Sequence, residues 1–348
     1  MNYIITGGTG FIGTHLTNFI KEQDANAQIW NFDIVDPAKL DAMTDLTEIQ
    51  EYTTIKQWKS PIKEGDCRKS TFVYCDVRKP IENLPFTPTP DDIIFNFAAV
   101  HRTPGHPDLA YFETNIRGAE NVCAFAEKWG IKKIVFTSSI APYGAAEELK
   151  EETTLPTPNT PYGISKLVAE KIHIAWQKGG NDRQLTIVRP GVVFGKGENG
   201  NFTRLYWAIR GHKFAYPGRK DTIKACIYVK ELVRFILWNV TELESQCEIF
   251  NCCFEPAYTI EHIAQAMKKV TGLKQFIPDI PNWLIMPTAS VIGALGAPMG
   301  ICPARVKKLQ ISTNICGKKL ASCGYKFKWT FEEALEDWFE DNNRKWLK

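Results

Sequence analysis

The chain has 348 residues, 44% hydrophobic and 23% charged, the composition of an ordinary globular protein with room for one large α/β domain and a smaller lobe. Its 42 basic and 39 acidic residues leave a net charge of +3 with no long single-sign block, so no nucleic-acid partner is expected and no field draws the chain to an anionic membrane. Ten cysteines without a CxxC and six histidines without metal-ligand spacing point to reduced thiols and no metal site.

Met1-Asn2-Tyr3-Ile4-Ile5 reads as a strand start rather than a secretory leader, so a cytoplasmic location is expected. Tyr3–Thr6 is the first strand, a glycine-rich turn follows, and Phe11–Lys21 has helical periodicity. Ile29–Phe32 is a second short apolar run that ends at Asp33. Thr71–Cys75, Ile93–Asn96, Ile134–Thr137 and Leu185–Val188 repeat the pattern, with Thr114–Trp129 and Tyr162–Gln177 as the clearest helices between them. Alternation of this kind predicts an α/β fold: a doubly wound parallel (Rossmann) sheet with all strand C-termini, and hence the ligand, on one edge.

Three stretches fall outside that rhythm. Asp36–Ser70 is polar, with Leu40, Met43, Leu46 and Ile49 at helical spacing, and reads as an inserted helix and loop. After Arg189 the pattern loosens, and glycine and asparagine crowd the stretch from Gly191 to Asn201, which predicts a smaller C-terminal substrate lobe. The expected division is a dinucleotide-binding domain over 1–190, with 226–253 returning to it, and a substrate lobe from 191–225 and 254–348. Finally, Ile280–Ala304 carries no charge, but Pro281, Pro287, Pro298 and Pro303 interrupt any membrane-spanning helix. We read it as a wall of the lobe, with contact at a membrane surface the less expected alternative.

Thr6-Gly7-Gly8-Thr9-Gly10-Phe11-Ile12-Gly13 joins the first strand to the first helix. Glycines there allow a tight turn and close approach of backbone to a pyrophosphate, toward which the helix N-terminus aims free N–H groups. A glycine turn alone is a weak signal. Its place between strand and helix, and Asp33 twenty residues beyond Gly13, make it a dinucleotide site formed by Gly7, Gly10, Phe11, Ile12, Gly13 and Asp33. Asp33 suits the ribose hydroxyls of NAD and repels a 2′-phosphate, so NAD is expected over NADP.

A tyrosine with a lysine four residues later shares one helix face. Tyr52/Lys56, Tyr162/Lys166 and Tyr216/Lys220 all match, but only Tyr162/Lys166 falls in a strong helix following a sheet strand. Pro217-Gly218 prevents a continuing helix at Tyr216. The Lys166 ammonium is expected to lower the phenol from its ordinary value near 10, making Tyr162 a base near neutrality. Upstream, Ile134–Thr137 ends in Ser138-Ser139, a hydroxyl pair placed beside the nicotinamide.

With these motifs in hand, the chain resembles the extended short-chain dehydrogenase/reductases, specifically the NAD-dependent epimerase/dehydratase branch. The match is carried by TGGTGFIG at 6–13, Asp33, Asp76-Val77, NFAAV at 96–100, Asn115, FTSS…YG at 136–144, PYGISK at 161–166, RPGVVFG at 189–195, IYVKEL at 227–232 and GYKFKWTFEEAL at 324–335. The resemblance implies Ser139, Tyr162 and Lys166 as the catalytic group, with Tyr162 and Lys166 also touching NAD. It further implies Asp76 and Val77 beside the adenine, Ala98 and Ala99 along the cofactor channel, a nucleotide-sugar substrate and a homodimer packed through the helices around 114–129 and 162–177.

Relatives that eliminate water carry acids just after the catalytic hydroxyl; here those positions are Ile140 and Ala141, so dehydratase chemistry is not expected. A 4-epimerase, an isomerase that returns its hydride, needs only Ser139, Tyr162, Lys166 and NAD. Lys224 stands where relatives resembling this chain have a pyrophosphate-binding arginine, and Val192 where many have asparagine. Ser139, Asn201, Lys224 and Arg305 are the candidate substrate-binding residues, a solvated surface role being equally open for Asn201 and Arg305. These departures keep a net oxidoreductase acting on a sugar nucleotide or an apolar, hydroxysteroid-like alcohol as the alternative.

Overall fold

Short apolar runs too brief for helices alternate with amphipathic stretches, and the runs assemble into one parallel sheet. The computed structural model describes residues 1–37, 69–101, 106–243, 245–281, 283–284 and 310–348. The expected helix within 36–70, most of the uncharged stretch and Arg305 lie outside the described residues.

The elements around the sheet are β1 (Asn2–Thr6), α1 (Phe11–Gln23), β2 (Gln28–Asp33), β3 (Thr71–Tyr74), β4 (Ile93–Asn96), α2 (Asp108–Trp129), β5 (Lys133–Thr137), β6 (Ala146–Lys150), α3 (Pro161–Lys178) and β7 (Gln184–Pro190). There follow β8 (Val192–Phe194), α4 (Asn201–Arg210), β9 (Tyr216–Pro217), β10 (Ile223–Lys224), β11 (Cys226–Tyr228), α5 (Val229–Glu242) and β12 (Cys247–Cys252). The last are β13 (Tyr258–Thr259), α6 (Ile260–Thr271), β14 (Asp279–Ile280), β15 (Thr313–Ile315), α7 (Lys318–Ser322) and α8 (Phe331–Asp341).

Seven strands run in the order β12-β7-β5-β4-β1-β2-β3, every neighbouring pair parallel. Because side chains alternate across a strand, Ile4 and Ile5 enter different cores. Ile5 packs with Leu16, Ile20, Val188, Leu232 and Phe250. Ile4 packs on the other face with Phe32, Ile94, Phe136, Trp176 and Ile187. Chain order reverses between β1 and β4, and the register Thr6↔Asn96↔Phe136 brings the C-terminal ends of β1, β4 and β5 level. Such a switch point opens a ligand crevice at that edge.

α2 begins at Asp108, six residues before the expected Thr114, because Ala110 and Tyr111 are buried and extend its apolar face upstream. A separate core joins Phe194, Phe202, Tyr206, Tyr228, Phe254, Phe331 and Trp338. Phe194 and Phe202 stack with ring centroids 4.6 Å apart. α8 enters this core behind a capping box in which Thr330 and Glu333 exchange bonds. A four-stranded sheet ordered β13-β10-β15-β6 lies alongside.

Candidate active site

The turn from β1 into α1 has no room for side chains. Gly7 adopts φ +70°, and a Cβ on it would meet the Ala98 nitrogen at 2.8 Å. A Cβ on Gly13 would meet the Gly7 carbonyl oxygen at 2.6 Å, so α1 sits directly against the turn. Gly10 occupies the N-cap position of α1 without a side-chain cap, leaving the first N–H groups of the helix for a ligand. Phe11 and Ile12 open the helix and are half-buried, Phe11 edge-on to His15.

Asp33 ends β2 and is buried. Its carboxylate accepts the Thr9 and Val35 N–H groups at 3.0 Å each. Burial nevertheless pushes the carboxyl up to about 6, more than these bonds pull it down. Thr9 also donates its hydroxyl to the Val35 carbonyl at 2.8 Å and accepts Asn31 at 2.9 Å, tying the glycine turn to β2. Asp76 and Val77 follow β3, whose exit is joined to β2 by the Cys75 N–H on the Asp33 carbonyl. The Asp76 carboxylate is held by Arg78 at 2.8 Å, which outweighs burial and lowers its pKa. Val77 is buried against Gly118. Ala98 and Ala99 follow β4, and the Ala98 N–H reaches the Thr6 hydroxyl at 3.4 Å. The cradle that a Cβ would fill, the uncapped helix start and the acid at the end of β2 fit the pyrophosphate and adenosine ribose of NAD.

Across the switch point, β5 delivers Ser138 and Ser139, and α3 begins with Pro161 in its first turn. The Thr160 side chain caps α3 by accepting the Gly163 N–H at 3.1 Å, which fixes Tyr162 in the first turn. Ser139 accepts the Ala141 N–H at 3.1 Å and hydrogen-bonds the Tyr162 phenol. Lys166, one turn along, is buried with its ammonium 4.3 Å from the centre of the Phe136 ring. Ser139 and Tyr162 are therefore in contact, with Lys166 one turn further along the same face of α3.

Their electrostatics correct one expectation. Burial pushes the Tyr162 phenol up to about 12, with the Ser139 bond working against it. Burial likewise lowers Lys166 to about 7, against the opposing pull of Glu170. In the protein alone, desolvation of both groups outweighs the expected lowering of the phenol by the ammonium.

Two further residues support this group and went unread in the sequence. Glu170, the next residue on the Tyr162-Lys166 face, is buried and paired bidentately with Arg189 at 2.8 and 2.6 Å. Glu170 also accepts the Ser138 hydroxyl at 2.5 Å, while Arg189 donates to the Tyr143 hydroxyl at 2.7 Å. The Tyr143 hydroxyl in turn donates to Asn251 at 2.9 Å. One network thus links α3, β5, β7 and β12. The available signal was an acid four residues after Lys166 and an arginine closing β7.

The described substrate candidates have local partners of their own. Lys224 lies in β10 beside Ala225, which packs against Tyr143 and Ile140, and its ammonium donates to the Ile311 carbonyl at 2.7 Å. Asn201 is exposed at the start of α4, its side-chain oxygen accepting from Arg204 at 2.9 Å. Ile140 packs in an apolar cluster with Tyr143 and Ala225, and Ala141 presents its carbonyl toward Gly163.

Comparison with known proteins adds a family. The model of the NAD dependent epimerase/dehydratase family matches residues 3–253. N-acetyl-alpha-D-glucosaminyl-diphospho-ditrans,octacis-undecaprenol 4-epimerase of Escherichia coli O157:H7 is 30% identical over 250 residues, 70% of this chain and 76% of that protein. UDP-glucose 4-epimerase of Yersinia enterocolitica is 23% identical over 298 residues, covering 78% of this chain and 83% of that one. Among solved structures, UDP-N-acetylglucosamine 4-epimerase from Methanobrevibacter ruminantium M1, in complex with UDP-N-acetylmuramic acid, superposes with a TM-score of 0.70. It shares 20% identity over 98% of both chains, a likeness of fold.

Proposed function

The chain belongs to the NAD-dependent epimerase/dehydratase family, and from that membership we propose that it is a nucleotide-sugar epimerase inverting C4 through a transient 4-keto sugar. The observation that carries the reading is the contact of Ser139 with Tyr162, with Lys166 one turn along the same helix, at the sheet edge that also bears the glycine turn, and with no acid at Ile140 or Ala141. Relatives named as 4-epimerases support it over net oxidation of an apolar alcohol.

Held by the glycine turn and Asp33, NAD would supply the hydride acceptor and donor for C4 of the sugar. Tyr162 takes the proton from the 4-hydroxyl and later gives it back. Ser139 bonds the same oxygen and holds it in line with the phenol. Lys166 steadies the nicotinamide ribose. Asp33 accepts the adenosine ribose hydroxyls, and Gly7, Gly10 and Gly13 admit the pyrophosphate. Dehydration would need an acid for the leaving hydroxide, and the side chains of Ile140 and Ala141 carry no proton to give.

The substrate lobe of this proposal comprises 191–225 and 254–348, with Lys224 near the sugar diphosphate. A lipid diphosphate is a second reading of the carrier, favoured by the polyprenol-linked substrate in the name of one relative. A homodimer through α2 and α3 is supported by Leu109, Ile164 and Val168, apolar residues exposed on those helices. A cytoplasmic location completes the proposal; among the described residues no helix is long and apolar enough to cross a membrane.

The test is incubation of the purified protein with UDP-sugars and no added cofactor, followed by NMR of the sugar. The 4-epimer should form without net NADH, and Tyr162→Phe should abolish it. Stoichiometric NADH, or undiminished turnover in the variant, would overturn the reading.

A further inference from the structure

One edge of the C-terminal region concentrates cations and aromatic rings that the active site does not use. The end of α4 and the turn after it are joined to the segment around β14. Gln275 donates to the Arg210 carbonyl at 3.4 Å, Tyr216 to the Pro278 carbonyl at 2.9 Å, and Gly218 to the Ile280 carbonyl at 2.8 Å. Ile209, Tyr216, Ala264 and Ile277 form a small core that fixes this edge from within.

On its outside stand exposed aromatic rings. Phe276 is 82% exposed and Trp283 76%, with Trp207 at 41% beneath the Arg210 guanidinium. Isolated exposed apolar residues need no explanation, but a group of large rings on one edge does.

Charge decides what kind of partner fits. Residues 205–218 and 268–284 hold Arg210, Lys213, Lys268, Lys269 and Lys274 against a single acid, Asp279. This edge therefore carries +4, while the whole chain carries +3. Lys213 and Lys274 are exposed and have no carboxylate partner among the described residues. A second copy meeting this edge face to face would bring the same positive charge against it, which opposes association. Aromatic rings among lysine and arginine are the set that settles in the headgroup layer of an anionic bilayer.

We propose that this edge, built from the end of α4 and the β14 segment, docks on an anionic membrane surface. The proposal rests on the epimerase reading and extends it, because docking brings the enzyme to the surface where a lipid-carried diphosphate sugar presents its head. It departs from the expectation drawn from net charge, since a near-neutral total hides a local excess. Insertion is shallow, limited to the side chains of Phe276 and Trp283, and the cations lie against the phosphates.

The test is flotation of the full-length protein with vesicles of phosphatidylcholine alone and of phosphatidylcholine with phosphatidylglycerol. Binding is expected only to the anionic vesicles and should weaken as salt rises. Lys213→Glu/Lys274→Glu and Phe276→Ser/Trp283→Ser should each lower vesicle affinity about tenfold or more. Turnover of a soluble UDP-sugar should be unchanged in both double variants. Absence of binding, or equal binding by wild type and variants, overturns the surface while leaving the epimerase reading intact. Vesicle binding by a protein that turns over neither UDP-sugars nor polyprenyl-diphosphate sugars overturns the epimerase reading and leaves the surface.

Discussion

Glu170 and Arg189 form a bidentate ion pair in the protein interior, on the helix face that also carries Tyr162 and Lys166. The pair connects α3 to β7, and through Ser138 it reaches the segment just after β5. Breaking a buried pair strands the surviving charge, which is worth more than the pair itself contributes. Glu170→Ala and Arg189→Met should each destabilise the protein by about 3–5 kcal/mol, read as a shift in the urea midpoint. Replacing both together should cost less than the two losses added, since neither charge is then left alone.

The glycine cradle predicts a selective failure. A methyl group at Gly13 would lie 2.6 Å from both the Gly7 carbonyl oxygen and the Gly8 Cα, and neither backbone group has freedom to retreat. Gly13→Ala should displace the start of α1, lower stability by about 1–3 kcal/mol and remove NAD binding. Calorimetric titration with NAD checks it; full affinity in the variant would mean the cofactor lies elsewhere.

Asp33 gives cofactor binding a pH dependence. In the cofactor-free protein burial raises its carboxyl from 3.8 to about 6. The folded state therefore holds this proton more tightly than the unfolded chain, and the contribution to stability is lost as pH rises through about 6. NAD binding has the opposite sign, because ribose hydroxyls donate to the ionised form. Affinity should fall by up to about tenfold per pH unit below 6 and level off above it. Asp33→Asn should lose about tenfold or more at neutral pH and flatten the profile. A wild-type affinity that does not change between pH 5 and pH 7 would count against Asp33 as the ribose acceptor.

The outer faces of α2 and α3 yield a test of assembly. Ile164 and Val168 stand one turn apart on α3, both exposed, with Leu109 exposed on α2. Ile164→Glu combined with Val168→Glu should convert a dimer to a monomer, seen as a halved mass by light scattering. A wild type that is already monomeric, or a variant that stays dimeric, removes α2 and α3 from the interface.

The sheet was legible because its signals are local. β4 matches the expected Ile93–Asn96 residue for residue, and β2 ends at Asp33 as read, since each strand is an apolar run closed by a polar residue. The glycine turn and the Tyr162/Lys166 spacing were equally plain. Two-residue strands such as β9, β10, β13 and β14 leave no period to detect. The bond from Thr9 to Asp33 was also hidden, because a backbone N–H has no letter of its own. Glu170 and Arg189 lie 19 residues apart, and acids at helical spacing are too common to stand out. The direction of the phenol shift failed for a different reason. Spacing places an ammonium near a phenol, but how much water each loses is a property of the packed site.

The pairing of β7 with β12 has a consequence for synthesis. Ile187 and Val188 lie in a largely buried strand whose outer edge is closed by β12, with Ile249 and Phe250 opposite them some sixty residues later in the chain. While the ribosome makes the intervening segment, β7 presents an open, apolar edge of the kind that recruits foreign strands. Until residue 252 emerges, the nascent chain holds most of a nucleotide-binding sheet with one side unsealed. Slower translation through 191–246 should therefore lengthen the exposure of that edge, and chaperones that shield strands should raise the yield in cells.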